Sequence, residues 1–271
     1  MLLPPPSGRS ILARVLTSAD TAYAIAFVRA LEHERPEGQR LFDDPYAAIF
    51  HAAGAHAAEG TKRFLDLPLF LEGVRLRTRA IDDFVRESLV AGIDQVVLLG
   101  AGFDARALRM PEIAAHAATV YEVDFAHQLD VKRILLAAAG VPVPPGVKYV
   151  PCDFAAPDFD DVLASRLGEH GFRAGAGALF VWEGVIAYIS EAAIARSLRL
   201  MVCVGGPGSR LVFDFAPMAF DPDPAHERAR RAGFTRFEQV GYDVIWRRYL
   251  LGEPHENASV SHLGMAFVAG A

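Results

Sequence analysis

Gln95-Val96-Val97-Leu98-Leu99-Gly100-Ala101-Gly102-Phe103-Asp104-Ala105-Arg106 is the stretch whose reading decides the fold. Its short Val- and Leu-rich run predicts a strand buried on both faces. The run breaks at Gly100 and Gly102, where the missing side chains let the backbone turn sharply and approach a ligand closely. In an open α/β sheet, the turn at the carboxyl end of the first strand is where a nucleotide-like ligand sits. Gly100-Ala101-Gly102-Phe103-Asp104-Ala105 also satisfies the dinucleotide fingerprint, with alanine at its third small position. Glycine pairs of this kind also serve plain strand-to-helix turns, so the ligand must be read from what surrounds them.

After this stretch strands and helices alternate. Strands are expected over residues 95–99, 119–123, 148–150, 178–182 and 210–215, with helical segments between most of them. Such alternation predicts a parallel sheet covered by helices on both faces. Two later strands, 239–251 and 263–269, have no substantial helix fitting between them, which predicts an antiparallel pair at one sheet edge. Before the stretch the pattern is helical. Asp43-Asp44-Pro45 reads as a helix start with proline in the first turn. Residues 76–90 read as an amphipathic helix with Leu76, Ala80, Phe84 and Leu89 inward. The organisation expected is a proline-bearing arm over 1–16, a helical cap over 17–91 and a ligand-binding core over 92–271.

Composition narrows the classes. The 271 residues are 52% hydrophobic, enough for a sizeable core. Net charge is −6 with scattered basic residues, so no electrostatic footprint for nucleic acid is visible. Cys152 and Cys203 lack metal-ligand spacing and suit a reducing cytoplasm. The start lacks a basic n-region followed by a long apolar run, so it does not read as a secretory signal. No apolar run approaches the roughly 18 residues of a membrane span. A cytoplasmic protein without nucleic-acid or membrane partners, and without a metal, is expected.

Four further elements refine the ligand. Tyr121-Glu122-Val123-Asp124 ends the second strand about twenty residues downstream, where a carboxylate can accept hydrogen bonds from both ribose hydroxyls. Asp124 lies nearer the crevice than Glu122 and takes that role. Asp153, after the third strand, could accept from an adenine amine, while Phe154 could cover the ring; the same residues also look like a helix cap and turn. Glu183 ends the fourth strand before Gly184 and could meet an ammonium group or a substrate. Arg75, Arg77 and Arg79 precede the first strand; an arginine fork matches a carboxylate bidentately, although a solvated helix face has the same pattern. An acid for ribose, one for adenine, one for an ammonium and a base for a carboxylate form the inventory of S-adenosyl-L-methionine, which has an amino-acid tail and no pyrophosphate.

With these motifs in order, the chain resembles the leucine carboxyl methyltransferase-like family of S-adenosylmethionine-dependent methyltransferases. It is most similar to that family's bacterial O-methyltransferase branch, some of whose members act in polyketide metabolism. The motifs are Asp43-Asp44-Pro45-Tyr46, Arg77-Thr78-Arg79-Ala80-Ile81-Asp82-Asp83, Leu99-Gly100-Ala101-Gly102-Phe103-Asp104, Tyr121-Glu122-Val123-Asp124-Phe125, Asp153-Phe154 and Glu183-Gly184-Val185-Ile186-Ala187-Tyr188. The resemblance implies a Rossmann-like class I methyltransferase sheet, mostly parallel with an antiparallel C-terminal edge pair, plus an N-terminal helical cap. It also implies that Arg77 binds the methionine carboxylate and that Gly100, with Gly102 in the same turn, lines the methionine portion. By the same resemblance Asp124 holds the ribose, Asp153 and Phe154 frame adenine, and Glu183 contacts the cofactor near its amino end. The chain departs from the family pattern at Ala126 (usually proline), Phe154 (commonly leucine) and Ala105 (commonly threonine).

The function expected is methyl transfer to oxygen on a small molecule, at a carboxylate or phenolic hydroxyl, in polyketide or other secondary metabolism. The alternatives are an NAD-dependent oxidoreductase and a non-catalytic S-adenosylmethionine-binding protein. Tyr23 and Tyr188 are candidate substrate-contacting residues, with Phe220 a further wall residue. His51, His56, His127 and Tyr188 are residue types able to serve as a base, and spacing selects none of them.

Overall fold

The computed structural model describes residues 18–54, 62–63, 65–67, 69–221 and 223–270. The arm expected over 1–16 and His56 lie outside them.

Seven strands form one sheet in the order β3-β2-β1-β4-β5-β7-β6. They are β1 (Gln95–Leu99), β2 (Thr119–Asp124), β3 (Val147–Pro151), β4 (Leu179–Trp182), β5 (Arg210–Phe215), β6 (Arg236–Gly241) and β7 (His262–Phe267). The first five pair in parallel, with Leu99 opposite Val123 and Val97 opposite both Tyr121 and Phe180. β7 runs antiparallel between β5 and β6. The order reverses beside β1, and that reversal opens the crevice where α/β sheets bind ligands.

Alternation along β1 assigns its side chains to the two faces. Val97 and Leu99 join Tyr121, Phe180 and Phe213 under α7 (Phe159–Glu169), α8 (Glu191–Gly205) and α9 (Ala225–Ala232). Val96 and Leu98 face the other way, with Val120, Val181 and Val212, under α3 (Phe70–Val90). The buried apolar face of α3 is Leu76, Ile81, Phe84, Val85 and Leu89, while Ala80 is only half-buried. The expected inward set thus changes by one helical step, because Ile81 and Val85 offer more apolar surface to the sheet than Ala80.

Before α3 come α1 (Ser18–His33) and α2 (Ala47–Ala53). Tyr23, Ala26 and Phe50 from these helices pack against Phe103 and Ala105 of the β1 turn and Leu136 of α6 (Ala126–Ala138). A buried ion pair fixes their seat: Arg75 Nε donates to Glu32 Oε2 at 2.5 Å, and Leu41 N donates to Glu32 Oε1 at 2.6 Å. The helix expected at Asp43-Asp44-Pro45 begins later, at Ala47, and Asp44 Oδ1 accepts from Tyr46 N at 3.3 Å.

The tail corrects one expectation. Residues 239–251 do not form one strand: β6 ends at Gly241, and Tyr242–Tyr249 form a helix, α10. Tyr242-Asp243-Val244-Ile245-Trp246-Arg247-Arg248-Tyr249 is rich in β-favouring residues, yet it buries Tyr242 and Ile245 on one side against the α3 layer. Tertiary burial overrides the weak local preference. The antiparallel arrangement itself is present.

Candidate active site

The glycine turn is fastened to β2 from both ends. Gly100 N and Ala101 N donate to Val123 O at 2.8 and 3.0 Å. Gly102 N donates to Asp124 Oδ2 at 2.6 Å, and Phe125 N to Asp124 Oδ1 at 2.7 Å. Gly100 has φ +70°, and a Cβ there would lie 2.2 Å from Val185 Cγ2. Only glycine meets both constraints. Burial pushes the Asp124 carboxyl upward, opposed by its two backbone amides. Each Asp124 oxygen keeps a further lone pair for a ligand hydroxyl.

The turn opens on a cavity of about 480 Å³. Arg77, Gly100, Gly102, Asp124, Phe154, Glu183 and Tyr188 all line it. Asp153 and Tyr23 do not. Asp153 is exposed, and its Oδ1 accepts from Ala155 N at 2.8 Å, so the structure gives it a turn-forming role. The Tyr23 ring packs on Phe103 with centroids 5.0 Å apart. Phe220 is buried against Phe213 and Phe215 in the core beneath the sheet. Of the candidate bases, His127 and Tyr188 line the cavity, whereas the His51 ring packs on Phe27. Tyr188 and Thr21 of α1 share a 2.5 Å hydrogen bond between their hydroxyls.

Glu183 follows β4 and is ringed by arginines from three elements. Arg29 Nη2 on α1 donates to Glu183 Oε1 at 3.1 Å, and Arg77 Nε on α3 donates to the same oxygen at 2.9 Å. Arg106 Nη1, on α4 (Arg106–Arg109), lies 2.9 Å from Oε2. Burial opposes ionisation of Glu183, but Arg106, Arg29 and Arg77 outweigh it and hold the carboxyl well below the usual carboxylate range. Beyond it, Arg77 Nη1 donates to Asp214 Oδ2 at 3.0 Å and Gly184 N to Asp214 Oδ1 at 2.5 Å. Arg106 continues to Asp82 at 2.8 Å and to Asp104, and Arg109 pairs with Asp82 at 2.7 and 2.8 Å. Within this cluster Arg29 Nε, Arg77 Nη2, Arg106 Nη2 and the acceptor Glu183 Oε2 are buried and have no hydrogen-bond partner. Arg29 and Arg77 line the cavity.

Sequence reasoning missed Arg29, Arg106 and Asp214. Arg29 carried one readable signal: it stands four residues after Ile25 and eight after Thr21, on one face of an otherwise apolar helix. Nothing local marked Arg106 or Asp214.

Comparison with known proteins follows this geometry. The family model for leucine carboxyl methyltransferase matches residues 22–202. A Mycobacterium avium (strain 104) protein, provisionally named an S-adenosyl-L-methionine-dependent methyltransferase, is 35% identical over 235 residues, covering 83% of this chain and 74% of that one. A Mycolicibacterium paratuberculosis (strain ATCC BAA-968 / K-10) protein with the same provisional name is 34% identical, covering 83% and 82%. A crystal structure from Thermobifida fusca YX, of a protein provisionally named a methyltransferase, aligns with a TM-score of 0.52 at 18% identity, covering 99% of this chain and 100% of that one; at that identity the likeness shows the fold. The chain belongs to the leucine carboxyl methyltransferase family, and thereby to the S-adenosylmethionine-dependent methyltransferases.

Proposed function

We propose that this protein methylates an oxygen of a small molecule, a carboxylate or a phenolic hydroxyl, with secondary metabolism such as polyketide modification as its setting. The observation that carries the reading is the polarity of the cavity: an end lined by Arg29 and Arg77 and, across the Gly100 turn, an acceptor end at Asp124. That polarity fits the cofactor. The guanidinium edge of Arg77 suits the amino-acid carboxylate, the Asp124 oxygens suit ribose hydroxyls, and Phe154 supplies an apolar surface for adenine. Family membership sets aside the oxidoreductase alternative that the glycine turn alone allowed.

When bound, S-adenosylmethionine supplies a methyl group already activated on a sulfonium. The protein's own residues then place an acceptor oxygen in line at about 3 Å. A carboxylate is ionised at neutral pH and needs no base, whereas a phenol needs one within hydrogen-bond reach. Thr21, Ile25, Val185 and Tyr188 line the cavity and are not claimed by the cofactor contacts above; they offer an acceptor two hydroxyls and an apolar wall. Transfer of labelled methyl to a panel of small carboxylic acids and phenols tests the reading. Base-labile methyl esters or stable aryl ethers support it; label appearing only in protein or amine acceptors overturns it.

A further inference from the structure

We propose that the methyl acceptor carries an uncharged hydrocarbon tail, and that this tail lies in a second cavity adjoining the first at Tyr188. The inference rests on the methyltransferase reading and adds to it the class of acceptor: an amphiphile with its reactive oxygen at one end of an apolar body.

The two cavities share a wall. The second, of about 320 Å³, is bounded by the turn after β3 and by the start of α8. Phe154, Ala155, Tyr188 and Ile189 line both. Val185 crowds Gly100, where a Cβ would lie 2.2 Å from its Cγ2, and it directly precedes the turn Ile186–Tyr188. One wall therefore runs from the glycine turn to Tyr188 and on to Ile189. The 2.5 Å hydrogen bond to Thr21 ties the Tyr188 ring to α1 at the junction. Of the residues matched to the cofactor, Phe154 reaches the second cavity, whereas Arg77, Gly100, Asp124 and Glu183 do not. The cofactor leaves most of that space to the acceptor.

The lining of the second cavity decides what part of an acceptor it takes. Ala155, Ala156, Pro157, Ile189 and Ala193 are apolar, and Phe154 meets Phe159 edge-on with centroids 5.6 Å apart. Ala155, Pro157 and Ala192 leave apolar surface exposed to water there. The polar side chains of the lining are committed elsewhere. Arg196 Nε donates to Asp160 Oδ2 at 3.0 Å, Nη2 donates to Oδ1, and the guanidinium lies over the Phe159 ring, 4.8 Å from its centroid. Ser190 Oγ accepts from Ala193 N at 3.2 Å as the cap of α8. An anion would have to draw Arg196 away from Asp160. A hydrocarbon chain needs no such exchange and gains by covering apolar surface.

The test is calorimetric and uses two probe series on the S-adenosylhomocysteine complex: straight-chain carboxylates from propanoate to decanoate, and phenols with 4-alkyl chains of increasing length. In one series or the other, affinity is expected to rise roughly two- to fourfold per methylene over the first several carbons. Ala192 is exposed and lines the second cavity alone, so Ala192→Trp fills that cavity without touching the first. It should flatten the rise and leave S-adenosylhomocysteine affinity within about twofold. Ala192→Leu gives a partial version of the same block if the tryptophan variant fails to fold. Affinity independent of chain length in both series overturns the proposal and leaves the cofactor reading standing, as does a rise that Ala192→Trp leaves intact. Weakened S-adenosylhomocysteine binding in a folded Ala192→Trp protein gives the second cavity to the cofactor and also overturns it. A wild-type protein that does not bind S-adenosylhomocysteine overturns the methyltransferase reading itself, and the proposal with it.

Discussion

Two buried glutamates, Glu122 within β2 and Glu183 just after β4, flank β1 on either side and meet opposite fates. Glu122 on β2 faces one base: Lys132 Nζ donates to its Oε2 at 2.7 Å and also to the Asp104 carbonyl. Burial dominates there and pushes the carboxyl upward against Lys132. Glu183 faces three bases and is held down. The first pair is closed, with each charge answered inside the protein. The second stands at the wall of the cavity, which Arg29, Arg77 and Glu183 all line. A buried charge sealed away from any cavity braces the fold, and one at a cavity wall is placed to meet a ligand.

The largest expected effect comes from breaking the open cluster. Glu183→Ala leaves three buried guanidiniums without their shared counter-charge, and loss of one partner from a buried ion pair costs about 3–5 kcal/mol. Urea unfolding should show that loss, and binding of S-adenosylhomocysteine should fall by roughly 100-fold or more as Arg29 and Arg77 lose the carboxylate that fixes them at the cavity wall. Asp124→Ala ranks next: about 1–3 kcal/mol of binding should be lost, because ribose hydroxyls and the Gly102 amide lose their acceptor. Unchanged affinity there would remove Asp124 from the site.

Glu122→Gln sharpens the contrast. At acid pH it should cost stability, about 1–3 kcal/mol in urea unfolding, while affinity for S-adenosylhomocysteine at neutral pH stays within about twofold. A large affinity loss would mean that the closed pair also serves the ligand.

The smallest effect is a difference in sign with pH. An unfolded glutamate titrates near pH 4.3. Glu183 has its folded pKa lowered, so its contribution is present above that pH and is lost on acidification. Glu122 has its folded pKa raised, so its contribution is present below that pH and fades as pH rises through the folded value. Stability differences between wild type and Glu183→Gln should therefore shrink toward acid, and those for Glu122→Gln toward neutral pH. Parallel slopes would contradict the comparison.

Much of this was legible along the chain, for a physical reason. The five parallel strands and the Gly100 turn are local: buried runs, punctuating glycines and a strand-end Asp124 need no knowledge of the rest of the fold. Arg77 and Glu183, singled out by motif order, both line the cavity. Arg29 and Arg106 were not legible, because an arginine on a helix reads as solvated until three elements converge on one carboxylate. Residues 242–249 were misread because β-favouring side chains were counted without the α3 surface that receives Tyr242 and Ile245. Asp153 and Tyr23 stand outside the cavity lining, where one accepts from Ala155 N and the other packs on Phe103.

The most direct test of the central claim is calorimetric titration of the wild-type protein with S-adenosylhomocysteine and, separately, with NAD. The account predicts stoichiometric micromolar binding of S-adenosylhomocysteine and no heat from NAD. Binding of NAD in its place would contradict it.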